Sequence, residues 1–392
     1  MLRNVCLRLP HAFASTRIRL LRCRAAGVIK NIQALRFLAA AWVALFHLNL
    51  LSGLGAETRW LAAIAGWGYA GVDIFFVISG YIMALTTAGS AAGAGSAGRF
   101  VAQRFARIYC GWWPFFFIYL AYYAATGGLS AQIRLLASFL LWPTLLPHHL
   151  LPIAWTLSFE LFFYAGTAAV LAWNRSKAAV PMLAWVLIVG ALNCVWLWQG
   201  RYHPDNVGEV TISQWFFFYP LTLEFVAGFL LHDYLKRHES GAWLPWLAGA
   251  ASFCVLIAVY QRIGTFHPSG LAGLFHAPER AVLWGGFSIC AVGAAVRLES
   301  TGRTPAAWLA PLGDASYSIY LGHILLIQVF LRFQSRLEPA ALPKSVVFVA
   351  VFVLLVVVLW LYYLGVERPL YLGVKRRISS FYTGVRLDPT PR

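Results

Sequence analysis

The stretch from Asn31 to Gly53, NIQALRFLAAAWVALFHLNLLSG, decides how the rest of the chain is read. It is apolar and long enough to cross a bilayer, because a helix rising about 1.5 Å per residue needs about 20 residues to span a hydrocarbon core about 30 Å thick. Yet Arg36 stands near its start and His47 well inside it. Eleven steps of a 3.6-residue helix make almost three turns, so the two side chains share one face, roughly 16 Å apart along the axis. Ionisable groups at membrane depth are costly and usually face a bundle interior or a water-filled cavity, which makes both residues functional candidates. A structural alternative also fits: an arginine that snorkels to the headgroups and a histidine hydrogen-bonded between helices.

The same character runs through all 392 residues, of which 60% are hydrophobic, 16% aromatic and 11% charged. These proportions exclude a soluble globular enzyme and indicate a polytopic membrane protein. The net charge of +17 does not point to nucleic acid, because the basic residues sit in short clusters between long apolar runs, where they act as topology signals. Six cysteines are scattered without a C-x-x-C pair, so neither a disulfide framework nor a zinc site is indicated. Residues 1–30 carry seven basic side chains and no acid, but lack an apolar core and a small-residue cleavage site; they read as a retained basic tail.

Further spans are expected at about 66–88, from the arginines of RFVAQRFARIY to about Thr126, and at about 150–173, 180–199, 214–235, 243–261, 281–297, 313–333 and 345–366. The Gly/Ser-rich segment GSAAGAGSAG reads as a flexible loop, and Ile133 to Pro147, broken by two prolines, as re-entrant or interfacial. The expected fold is therefore all-α, a bundle of about ten transmembrane helices. With both termini cytoplasmic, every loop assigned to the inner side is basic. Residues 31–370 form the transmembrane domain and 371–392 a second basic tail.

Several polar residues fall within these spans. Asp73 lies at a depth similar to that of His47, where a carboxylate could orient the imidazole and raise its basicity; a paired charge that sets helix register is the alternative. Glu160 stands mid-span with Thr156 and Tyr164 one turn away, and needs a partner. Ser316, Tyr320 and His323 form a polar stripe in a later span and are candidates for that partnership. Glu224 reads as structural, and Glu367, Arg368 and Pro369 as an ion pair and helix stop closing the last span. No G-x-S-x-G, Walker loop, zinc pattern or dinucleotide fingerprint is present, so no metal is expected. A membrane base with acids above a cluster of arginines, whose planar heads suit phosphate, suggests a phosphate-bearing donor and proton abstraction within the bilayer.

These residues carry a resemblance. Arg36 and His47, GVDIFFVISGY (Gly71 to Tyr81), Arg104 and Arg107 in RFAR, WTLSFELFFY (Trp155 to Tyr164), SYSIYLGH (Ser316 to His323) and VERP (Val366 to Pro369) occur in this order. Together they resemble the acyltransferase-3 family of integral-membrane acyltransferases that modify surface glycans. One departure is Cys110-Gly-Trp-Trp before Pro114, where the family pattern places proline directly after RIY. The resemblance implies a multi-pass protein of the bacterial inner membrane. It would transfer an acyl group, commonly acetyl, from cytoplasmic acyl-CoA as co-substrate to a hydroxyl of a glycan or lipid-linked glycan. It further implies His47, Asp73 and Glu160 as catalytic residues, Arg36, Arg104 and Arg107 on the donor, and Ser79, Tyr81, Ser316, Tyr320 and His323 as substrate contacts. Ser79, His47 and Tyr320 each remain open as acyl carriers. A glycan transporter or flippase without chemistry is the competing class; the absence of an evident internal repeat weighs against it.

Overall fold

A computed structural model of the chain describes residues 29–203, 216–238, 241–263, 270–273, 276–337 and 343–383, and every regular element among them is helical. Residues 1–28 of the basic N-terminal tail lie outside the described residues. In chain order the helices are α1 (Lys30–Ser52), α2 (Arg59–Gly66), α3 (Gly71–Thr87), α4 (Ala94–Thr126), α5 (Leu135–Leu140), α6 (Trp155–Trp173) and α7 (Ala179–Trp198). They continue with α8 (Thr222–Arg237), α9 (Leu244–Ile263), α10 (Ala277–Ser300), α11 (Leu309–Asp314), α12 (Ser316–Leu337), α13 (Lys344–Tyr362) and α14 (Arg368–Thr383). Helix α1 ends where the sequence offers a stop: Gly53 takes φ 65°, and its N–H caps the Asn49 carbonyl.

Eight helical stretches among the described residues are long and apolar enough to cross a membrane: α1, α2 with α3, α6, α7, α9, α10, α12, and α13 with α14. The other two of the ten expected spans fall short for different reasons. Helix α4 has 33 residues, but its Tyr and Trp content lowers its hydropathy; α8 has 16 residues, about 24 Å of helix.

Helix α3 sits at the centre. A Cβ on its Gly71 would run into the Ala39 carbonyl of α1, and one on its Gly80 into the Phe225 carbonyl of α8. Gly228 of α8 is likewise pressed against the Val77 carbonyl. Small residues at crossings are how helices approach closely in lipid, where no hydrophobic force drives them together. On another face of α3, Phe76 meets Trp155, Phe159 and Phe163 of α6 at ring distances of 6.0, 5.9 and 5.5 Å.

Two local expectations are corrected, at the Gly/Ser-rich segment and at the end of the last span. The Gly/Ser-rich segment is already helical from Ala94, and just before the helix Gly93 N–H bonds the Leu171 carbonyl at 3.1 Å. Ile133 to Pro147, expected not to cross, forms the six-residue α5 and a 3₁₀ turn, with α5 held to α4 by the Trp112 indole donating to the Ser138 carbonyl at 3.1 Å. The last span does not stop at Glu367-Arg368-Pro369. A π-helical turn at Tyr363–Glu367 passes straight into α14, which runs antiparallel to α4, with Tyr371 against Arg107 and Tyr382 against Gly98.

Candidate active site

A cleft enclosing about 850 Å³, including the space at its mouth, lies between α1, α3, α4, α6 and α12. Seven of the sequence-predicted site residues line it: Arg36, Ser79, Arg104, Arg107, Glu160, Ser316 and Tyr320. The spacing of each helix explains the convergence. Arg104 and Arg107, Thr156 and Glu160, and Ser316 and Tyr320 are each three or four residues apart and so share a face.

The arginines are held differently. Arg36 Nη1 donates to Gln33 Oε1 at 3.3 Å, and Gln33 Nε2 in turn donates to Asp314 Oδ1 at 2.9 Å. Arg104 Nη2 donates to Thr86 Oγ1 at 2.8 Å, with its guanidinium 5.5 Å from the Phe100 ring and 5.9 Å from the Tyr164 ring. Arg107 is ion-paired with Glu367 at 2.8 Å. Glu367 is fully buried and also accepts the Ser318 hydroxyl, so its partner is Arg107 from α4 and not the adjacent Arg368. Arg36 and Arg104 are thus the cations of the cleft that form no ion pair among the described residues, although the charges of Glu160 and Asp314 act on Arg36.

Glu160 does not pair with the stripe on α12. It accepts the Tyr164 hydroxyl at 2.7 Å and the Ser79 hydroxyl at 3.4 Å. Tyr320 exchanges hydrogen bonds elsewhere, with Thr156 Oγ1 at 3.0 Å and the Ile153 carbonyl at 3.1 Å. The buried Ser316 hydroxyl lines the cleft and finds no hydrogen-bond partner among the described residues, which leaves it available to a bound molecule.

His47 lies outside the cleft lining, beyond Tyr320. Its Nδ1 is 3.0 Å from the Val43 carbonyl and 3.1 Å from Nε2 of His323. His323 Nδ1 faces the Ile319 carbonyl at 3.1 Å. Carbonyls only accept, so both Nδ1 atoms carry hydrogen and His323 Nε2 can only accept. The network therefore assigns His47 the tautomer whose Nε2 has a bare lone pair, the form a base requires. The Tyr320 ring, 6.0 Å from that of His323, joins the histidine pair to the cleft. His323, expected to touch substrate, is fully buried and outside the cleft lining, with its Nε2 facing His47 Nδ1.

Two further expectations are corrected. Asp73 does not orient His47: it is fully buried against Arg280 of α10, whose Nε and Nη2 reach its two oxygens at 3.0, 3.2 and 2.7 Å. Arg280 also donates to the Tyr69 carbonyl at 3.2 Å, and the buried Glu224 lies close enough to interact with both Asp73 and Arg280. Tyr81 turns away from the cleft and packs its ring 5.4 Å from that of His232. Sequence reasoning missed Arg280 because it read the residue as loop, although an arginine at the same end of a span as Asp73 was the available signal. The ion pair expected at Glu367 was assigned the wrong partner, because Arg107 and Ser318 are distant from it in sequence.

Comparisons with known proteins identify the family. The model of a family described as an acyltransferase domain matches residues 29–364. An exopolysaccharide production protein, ExoZ of Rhizobium meliloti (strain 1021), is 32% identical over 275 residues, covering 67% of this chain and 77% of that protein. No solved structure matches. The chain is a membrane protein of the acyltransferase-3 family, and it belongs there over the whole helical bundle that builds the cleft.

Proposed function

We propose that this protein is an O-acyltransferase of the bacterial inner membrane. It takes an acyl group, acetyl first among them, from cytoplasmic acyl-CoA and transfers it to a hydroxyl of an exopolysaccharide or its lipid-linked precursor. The observation that carries this reading is a cleft lined by Arg36 and Arg104, neither held in an ion pair, with a histidine outside the lining, behind Tyr320 and His323, whose Nε2 has a bare lone pair. Support for the acceptor comes from the similarity to a protein named for exopolysaccharide production. The basic clusters between spans favour both termini and the arginine end on the cytoplasmic side, where the donor is found.

In this mechanism Arg36 and Arg104 grip the phosphates of the donor, and its pantetheine arm extends along the cleft towards Tyr320. The acceptor hydroxyl approaches His47. As its oxygen attacks the thioester carbonyl, His47 Nε2 takes the hydroxyl proton; when the tetrahedral intermediate collapses, the C–S bond breaks and the departing thiolate receives that proton. His323 holds the tautomer throughout. General-base assistance of this kind contributes about 10²–10⁴-fold.

The test pairs chemistry with product. Purified protein should consume acetyl-CoA in the presence of acceptor, and His47→Gln should bind donor normally while losing turnover by about two orders of magnitude or more. Surface glycan from a deletion strain should lack an acetyl resonance that wild-type glycan shows by NMR. Normal turnover by His47→Gln, or an unchanged glycan, overturns the reading; a transporter without chemistry would consume no acetyl-CoA.

A further inference from the structure

Helices α4 and α14 lie side by side at the arginine end of the cleft, and neither carries an acidic residue. Besides Arg107 they hold Arg99, Arg104, Arg368, Lys375, Arg376 and Arg377. Glu367, in the turn before α14, is paired with Arg107, and Glu160 is the acid of the cleft lining. Basic side chains gathered along two packed helices raise the local positive potential, which draws anions to this face.

One ring shows where such an anion would sit. The Arg107 guanidinium stands 5.4 Å from the centre of the Tyr371 ring, and the Lys375 ammonium 5.8 Å from the same ring. Tyr371 and Lys375 are four residues apart on α14, one above the other on a single face. Arg107 belongs to the cleft lining, and Lys375 is exposed. A row therefore runs from inside the cleft across Tyr371 to a solvent-facing ammonium with three free donor hydrogens.

We infer that Tyr371 and Lys375 form an outer phosphate subsite that continues the cleft and receives the nucleotide end of the acyl-CoA donor. The inference rests on the reading above, in which acyl-CoA is that donor, and adds where its nucleotide end lies. Continuity with the cleft favours this ligand over a lipid headgroup, because an anion held at Lys375 is one aromatic ring away from Arg107. Arg377 serves as an internal control. It carries the same charge, but two residues beyond Lys375 it points about 200° around the helix, away from the row.

The experiment measures binding of coenzyme A, and of pantetheine, which lacks the nucleotide, to the full chain in nanodiscs of phosphatidylcholine. Lys375→Gln should weaken coenzyme A about fivefold to tenfold, the range expected for an exposed charge-assisted contact, without altering pantetheine binding. Arg377→Gln should leave both alone. Equal coenzyme A affinity in wild type and Lys375→Gln overturns the subsite, as does an equal loss in both variants, which would indicate only the general positive field. If the two variants differ only in nanodiscs containing phosphatidylglycerol, the anion is a lipid headgroup and the inference fails. Selective loss of coenzyme A affinity in a protein that transfers no acyl group supports the subsite and sinks the enzymatic reading. Turnover with an affinity indifferent to Lys375 sinks the subsite alone.

Discussion

Replacing Asp73 by Asn separates a structural from a catalytic role for the buried carboxylate of α3. The substitution keeps the shape of the side chain and removes its charge, so Arg280 is left in the interior without its ion-pair partner. Three short contacts, at 2.7, 3.0 and 3.2 Å, are affected. Breaking a buried ion pair by removing one member costs about 3–5 kcal/mol, mostly because the remaining charge stays buried and uncompensated. Two features pull the expectation to about 3 kcal/mol, the lower end of that range. The Asn oxygen can still accept one guanidinium hydrogen, and Glu224 lies close enough to offer a substitute carboxylate. Thermal unfolding of purified protein in detergent, followed by tryptophan fluorescence, should show a midpoint lowered by roughly 5 °C or more. Adding Arg280→Gln removes the orphaned cation and should recover more than half of the loss, giving a clear coupling energy in the double-mutant cycle. Turnover per folded molecule at low temperature should stay within about threefold of wild type, since Asp73 neither lines the cleft nor touches His47. An Asp73→Asn protein that melts like wild type but is inactive would refute this reasoning and return Asp73 to the role of base orienter.

Other expectations follow from the same geometry. His323→Phe fills the same space but cannot accept the His47 Nδ1–H, so turnover should fall by about tenfold or more while acetyl-CoA affinity holds; a variant with normal turnover would remove His323 from the positioning of the base. Arg104→Ala should weaken donor binding by about tenfold with little change in thermal stability, whereas Arg107→Ala should also destabilise the fold by about 3–5 kcal/mol, because it strands the buried Glu367. Identical melting curves for the two variants would show that the Glu367 pair is not structural. Glu160→Gln keeps a partner for the Tyr164 hydroxyl and should insert normally; a wild-type acylation rate in that variant would leave Glu160 with a hydrogen-bonding role alone. Gly80→Leu should abolish accumulation in the membrane, since even a Cβ at that position meets the Phe225 backbone; normal yield would mean that α3 and α8 pack further apart than described.

Much of this protein was legible before any fold was known. Apolar runs of bilayer length specify membrane helices almost independently of context, because hydrocarbon leaves the backbone no other way to satisfy its hydrogen bonds. Helical periodicity likewise put Arg36 and His47, Thr156 and Glu160, and Ser316 and Tyr320 on shared faces. What one helix cannot specify is which neighbour each polar residue meets. Asp73 and Arg280 are 207 positions apart, Arg107 and Glu367 are 260, and His47 and His323 are 276. Each pair is set by which helices cross and at what depth, and those crossings depend on where glycine permits close approach, as at Gly71 and Gly80. Depth alone made Asp73 and His47 look like neighbours, but two residues at one level in a bilayer can face different helices, as Asp73 faces α10. Only the packing of α3 between α1, α8 and α10 decided that the carboxylate faces an arginine, and only the crossing of α1 with α12 set His47 against a second histidine.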